Sequence, residues 1–183
     1  MNDIKKISII AMQVASSAFI MWLSGRVSFP LPTISVPITL QSMFPILLPL
    51  VFNSRYASGG ILLWLLFGAL GLPVFADGGG GNEYFYSNSG GYLLGFYLIS
   101  ILTPKIGKLR IKNRYLRNTG LFILMQIVLT LIGLLWIWLG DYSVIQFSTH
   151  VLPYLPGLVL KSLLGSFLLE LFFRLNIRTY FEK

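Results

Sequence analysis

Residues 154–173 read YLPGLVLKSLLGSFLLELFF, an apolar run with a lysine, Lys161, inside it. A run of this length crosses a bilayer as a helix. An ionisable group within such a span costs about 2.5–3.5 kcal/mol on insertion scales, so it usually faces a cavity, a partner or water. The competing reading is that the lysine snorkels to the interface. Pro156 suits the first turn of a helix. Lys161 then lies about 7 Å further along the axis, and its side chain tilts back towards the amino-terminal end. Headgroups or a ligand could both receive it there. Glu170 is too far along the same helix to reach Lys161 and is better placed to pair with Arg174 at i+4. That leaves Lys161 to a carboxylate from a loop (Asp77, Glu83 or Asp141) or to a bound anion.

The rest of the chain shares this character. Of 183 residues, 55% are hydrophobic and 11% charged, against about 25% charged in soluble domains. Mean hydropathy is +0.76. Apolar segments run roughly over 7–24, 38–52, 56–72, 90–104, 119–140 and 153–174, the second and fourth being short. Lipid demands that backbone groups be satisfied internally, and the alternation of a membrane barrel is absent. These patterns predict one domain over 1–183, an all-α membrane protein of six transmembrane helices. The amino-terminal run, Ile7 to Leu23, is long for a signal peptide and reads as a retained span. No cysteine is present, which removes disulfides and thiolate chemistry.

Basic residues set the orientation. Lys5, Lys6, Arg55, Lys105, Lys108, Arg110, Lys112, Arg114, Arg117, Arg174, Arg178 and Lys183 fall on one side of a six-span arrangement. The other side has Arg26 with Asp77, Glu83 and Asp141. The positive-inside rule makes the basic side, with both termini, cytoplasmic. Topology therefore accounts for the net charge of +8, and nucleic acid is not an expected partner.

The outer connections are unusual. RVSFPLPTISVPITLQ (26–41) has three prolines and is not one regular helix. FADGGGGNEYFYSNSGGYLLGF (75–96) mixes glycine, amide and aromatic residues, and Tyr84, Phe85 and Tyr86 are costly to leave wet in a pure linker. It reads as a structured lid. GDYSVIQFSTHVLPYLPG (140–157) holds the single histidine, His150. An outward-facing ligand pocket capped by these loops is the arrangement they suggest.

Four stretches together carry a family resemblance: SVPITLQSMFPILLPLVF (35–52), GALGLPVFADGGGG (68–81), SGGYLLGF (89–96) and LPYLPGLVLK (152–161). In order, spacing and frame the chain resembles, over nearly its whole length, the biotin-specific substrate-binding (S) components of energy-coupling-factor (ECF) transporters. The resemblance implies a multi-pass protein of the bacterial plasma membrane that binds a vitamin, biotin, with high affinity. It further implies assembly with a transmembrane coupling subunit and two cytoplasmic ATPases. The chain itself has no G-x-x-x-x-G-K-[ST] phosphate loop, and no cofactor is expected. Family members present small residues of the first helix to the coupling subunit in an A-x-x-x-A pattern; Ala11 and Ala15 match it, with Ala18 close by.

Two departures bear on the ligand. Biotin components usually read P-G-D-x-x-K where this chain has Pro156-Gly157-Leu158-Val159-Leu160-Lys161. The lysine is kept and the aspartate, which the resemblance places at the ureido head of biotin beside the lysine, is replaced by Leu158. Before the Gly90-Gly91-Tyr92 triplet, Ser87-Asn88-Ser89 replaces the family's G-P-T or G-R-T. Either the ligand is still biotin, with Asp77, Asn82, Glu83 or Asn88 supplying an acceptor, or it is lipoate, whose dithiolane ring suits an apolar Leu158, or a related vitamin-like carboxylic acid. The expected ligand-binding residues are Thr39, Gln41, Phe75, Asp77, Asn82, Tyr84, Tyr86, Asn88, Tyr92, Leu158 and Lys161. Trp136 and Trp138 read as belt aromatics.

Other classes fare worse. Hydrolysis needs paired carboxylates, a metal cluster or a nucleophile–base pair. Ser162 adjoins Lys161, but adjacent helix positions point apart. A self-sufficient secondary transporter would show inverted repeats or a relay of ionisable residues, and neither is visible.

Overall fold

The computed structural model describes residues 3–29, 38–107, 112–140 and 152–175. The connections over 30–37 and 141–151, which contain His150 and Asp141, lie outside the described residues. Six α-helices are present among the described residues: α1 (Asp3–Gly25), α2 (Phe44–Val51), α3 (Ser54–Ala69), α4 (Gly90–Ile106), α5 (Arg114–Gly140) and α6 (Leu155–Arg174). An antiparallel pairing of β1 (Ser28–Phe29) with β2 (Ile38–Thr39) is the one exception to an all-helical chain among these residues.

α1, α5 and α6 are each long and apolar enough to cross a membrane, while α4 is shorter. The second segment departs most from the sequence expectation. Residues 38–39 are spent on β2 and Leu40–Met43 form a 3₁₀ turn, so α2 itself has only 8 residues. Pro45 stands in its first turn, and Pro49 lies inside it. The next turn stops at Phe52, whose backbone is extended. The short α2 leaves one end of the bundle to be completed by the turn before it and by the loops.

Contacts fix the helix directions. Asn53 N–H donates to Gln13 Oε1 at 2.8 Å, and Gly60 lies against Val14 and Ser17. α1 and α3 therefore run side by side in the same direction. Thr119 Oγ1 donates to Ser166 Oγ at 3.0 Å, and Gly165 receives the Phe122 ring, so α5 and α6 are antiparallel. At the other end of the bundle Gly133 receives the ring of Tyr92 from α4. Glycine at these crossings lets helices approach closely where lipid provides no hydrophobic drive between them.

The outer surface is as apolar as the interior. Phe19, Leu66, Leu131, Leu135, Leu160 and Phe167 are exposed, while Ile46, Ile61, Trp64, Ile99, Phe122 and Met125 are fully buried. Helices that are hydrophobic all round belong in lipid. Polar side chains go inward: Ser100 Oγ donates to Ser58 Oγ at 3.0 Å, and Gln13, Asn118 and Ser166 are buried.

The basic end gathers the starts of α1, α3 and α5 and the ends of α2, α4 and α6. Arg114 donates to both oxygens of Glu170 at 2.7 Å. Arg174 reaches the same carboxylate at 3.5 Å. The i+4 pair is thus present, but the closer partner of Glu170 comes from the neighbouring helix.

Candidate functional site

A cavity of about 280 Å³ lies at the end opposite the basic one. Its floor and one wall come from Thr39, Gln41 and Ser42, just before α2. Phe75, Ala76, Tyr84 and Ser89 close it from the loop between α3 and α4. Tyr92, Leu93 and Phe96 of α4, Gln126, Leu129 and Thr130 of α5, and Tyr154, Leu158 and Lys161 complete it. The lining is mostly apolar with a few polar groups, the usual make-up of a small-molecule site, and the volume sits near the lower end of such sites.

Lys161 points inward. It is 9% exposed, and its ammonium donates to Ser42 Oγ at 2.7 Å and to the Thr39 carbonyl at 3.3 Å. Snorkelling to headgroups is incompatible with that burial and those partners. Two of its three N–H donors are used. No aspartate or glutamate lines the cavity among the described residues. A carboxylate entering the cavity would meet an ammonium that no anion among the described residues neutralises.

Gln41 is buried and its Nε2 donates to the Met21 carbonyl at 2.8 Å, tying the wall before α2 to α1. Thr39 offers its carbonyl to Lys161. Tyr92 stands on α4 with its ring held in the Gly133 notch. Leu158 is 9% exposed and lies one turn before Lys161 on α6.

The glycine-rich loop is a built lid. Gly71, Gly78 and Gly81 take φ of 91°, 77° and 114°, values that side chains resist. Gly81 N–H donates to the Gly68 carbonyl at 2.7 Å. Phe75, 1% exposed, packs edge-on to Trp64 at 5.2 Å and against Tyr84 at 5.5 Å. Trp64 Nε1 donates to the Val74 carbonyl at 2.9 Å, and Arg26 reaches the Pro73 carbonyl at 2.8 Å. Trp136 Nε1 donates to the Ser87 carbonyl at 3.2 Å. Trp136 thus anchors the lid, whereas Trp138 is exposed as a belt residue would be.

The structure brings Thr39, Gln41, Phe75, Tyr84, Tyr92, Leu158 and Lys161 together around the cavity. Asn82 and Tyr86 are exposed on the lid's outer side, and Asn88 is half-buried away from the cavity wall. Asp77 belongs to the turn Ala76–Gly78, and its side chain lies outside the described residues. Sequence reasoning missed Ser42, which holds the lysine, and Gln126. The available signal for Gln126 was an amide isolated in the apolar run LFILMQIVLTL (121–131). On α1, Ala11 and Ala15 are exposed, while Ala18 is buried against α3 beside Gly60.

An apolar-surfaced bundle of six helices enclosing a cavity with an inward lysine defines a helical membrane protein. The chain belongs to the BioY family, whose model matches residues 2–177. A relative from Pyrococcus horikoshii, described as a probable biotin transporter BioY, is 31% identical over 160 residues, covering 86% of this chain and 90% of the relative. The biotin transporter BioY of Thermotoga maritima is 41% identical over 79 residues, 41% of this chain and 47% of that one. Among solved structures, the S-component for biotin from an ECF-type ABC transporter superimposes with a TM-score of 0.76, covering 100% of this chain and 95% of that chain at 21% identity. That likeness shows that the fold is shared.

Proposed function

We propose that this chain is the vitamin-binding S component of an ECF-type ABC uptake transporter and that its ligand is biotin. The observation that carries the proposal is Lys161, buried in the cavity wall with no carboxylate opposite it among the described residues. The valerate carboxylate of biotin would neutralise it, and the fused rings would lie among Phe75, Phe96, Leu129 and Leu158. Family membership and the names of the relatives support the same ligand. The cavity end faces outward and the basic end faces the cytoplasm, in keeping with the positive-inside rule. The exposed Ala11 and Ala15 of α1 form the contact with the transmembrane coupling subunit, and two partner ATPases hydrolyse ATP.

A second reading is lipoate. It is favoured by Leu158 in the wall and by the lack of a carboxylate acceptor there among the described residues. Equilibrium binding of biotin and lipoate to the purified protein decides between them. Tight biotin binding supports the first reading; tight lipoate with weak biotin supports the second. Folded protein that binds neither overturns both.

A further inference from the structure

Six buried side-chain polar atoms have no hydrogen-bond partner among the described residues, and of these Gln126 Nε2 alone belongs to a residue of the cavity wall. Gln126 is 3% exposed and sits in the middle of α5, a helix otherwise apolar at this level. A buried donor with nothing to receive it is costly, and most so away from bulk water. Two polar groups of the same wall already donate elsewhere. Thr130 Oγ1 donates to the backbone carbonyl of Gln126 at 2.9 Å, and Lys161 is held by Ser42 and Thr39. The α5–α6 register set by Thr119–Ser166 and Phe122–Gly165 brings Gln126 level with Lys161, one turn deeper than Leu158.

A carboxamide offers an acceptor and a donor side by side. Its complement is a group with N–H beside C=O in the same plane: a cyclic urea or a secondary amide. We propose that Gln126 is the specificity-determining residue of the cavity, pairing edge to edge with the ureido group of the ligand. Its oxygen accepts the ligand N–H and its Nε2 donates to the ligand carbonyl, while Lys161 takes the carboxylate. The proposal rests on the biotin reading above and adds to it the protein group that selects the polar head. A dithiolane acid has no N–H beside a carbonyl to match this carboxamide.

The test is calorimetric titration of biotin and lipoate into detergent-purified wild type and Gln126→Leu, with Gln126→Asn as a shorter amide and thermal unfolding as the control for folding. The biotin-to-lipoate affinity ratio is expected to fall at least about tenfold in Gln126→Leu, and Gln126→Asn is expected to lie between it and wild type. Wild type and Gln126→Leu binding biotin equally tightly overturns the role of Gln126 and leaves the biotin reading standing. So does an equal loss for both ligands, which marks a packing role. Wild type that takes lipoate but not biotin overturns the biotin reading and the ureido pairing together.

Discussion

Lys161 of α6 donates to Ser42 Oγ across 2.7 Å, a contact between residues 119 positions apart in the chain. The bond joins the last helix to the turn before α2 and fixes the one cation of the cavity wall among the described residues. Hydrogen bonds from charged donors are the strong ones, and here both partners are buried.

Lys161→Met keeps the length of the side chain and removes its charge. Biotin affinity is expected to fall by roughly 30- to 150-fold, the equivalent of about 2–3 kcal/mol for a lost charged hydrogen bond. The ligand-free variant should unfold at the same temperature as wild type or higher, because a buried charge is costly in the empty cavity. Titration calorimetry and thermal unfolding on the same preparation check both halves. A lower unfolding temperature with unchanged affinity would assign Lys161 to the scaffold.

Ser42→Ala releases the ammonium from its anchor but leaves it in the cavity. A loss of about 0.5–1.5 kcal/mol in ligand binding is expected, typical of a neutral hydroxyl partner. Because Ser42 acts through Lys161, the double variant with Lys161→Met should bind no worse than Lys161→Met alone. Additive losses in that cycle would mean Ser42 contacts the ligand independently.

Much of this architecture was legible in the sequence, and the failures are local. All six apolar segments correspond to helices, because each long run of leucine, isoleucine and phenylalanine has one stable form in lipid. α2 starts at Phe44, later than the apolar segment from residue 38 predicts. Apolar residues continue from Ile38 to Val51 with only Thr39, Gln41 and Ser42 among them, and nothing in the pattern shows that Ile38 and Thr39 are claimed by backbone pairing with Ser28 and Phe29. Lys161 was identified because a charge in a span is conspicuous. Gln126 and Ser42 were not, since lone amides and hydroxyls in membrane helices more often serve helix packing. That the loop over 75–89 is structured was legible through its aromatics, but not in detail. Asn82 and Tyr86 look like ligand contacts in sequence, yet the 3₁₀ turn over Asn82–Tyr86 sends Tyr84 inward and leaves these two exposed.

Gly133 gives the cavity a remote point of control. A Cβ there would strike the Tyr92 ring, which lines the cavity from α4. Gly133→Val is expected to destabilise the protein by about 1–3 kcal/mol through overpacking and to weaken ligand binding as Tyr92 is displaced. Adding Tyr92→Ala should restore part of the unfolding temperature by vacating the space, without restoring affinity. No recovery of stability in the double variant would show that the crossing of α4 and α5 fails for another reason.

Trp136→Phe keeps a ring beside Gly91 and deletes the N–H that holds the lid at Ser87. One hydrogen bond of about 0.5–1.5 kcal/mol is expected to appear mainly as a faster dissociation rate, about two- to tenfold. Stopped-flow measurement of ligand release reads it directly. A change confined to the association rate would place the lid's movement before binding instead of after it.

The face of α1 supplies a test of assembly that leaves the cavity alone. Ala11 and Ala15 are exposed on one side of the helix, whereas Ala18 is buried against α3, where Gly60 allows backbone contact. Ala15→Trp puts bulk on the open face, and Ala18→Trp puts it into the α1–α3 seam. The first variant is expected to bind ligand within about twofold of wild type, as surface changes away from a site usually do, yet to lose co-purification with the coupling subunit and ATPases and to stop supporting uptake. The second should unfold at markedly lower temperature because the seam has no room. If Ala15→Trp still assembles and transports, small residues on this face serve lipid contact alone, and the proposed docking of a coupling subunit on α1 is overturned.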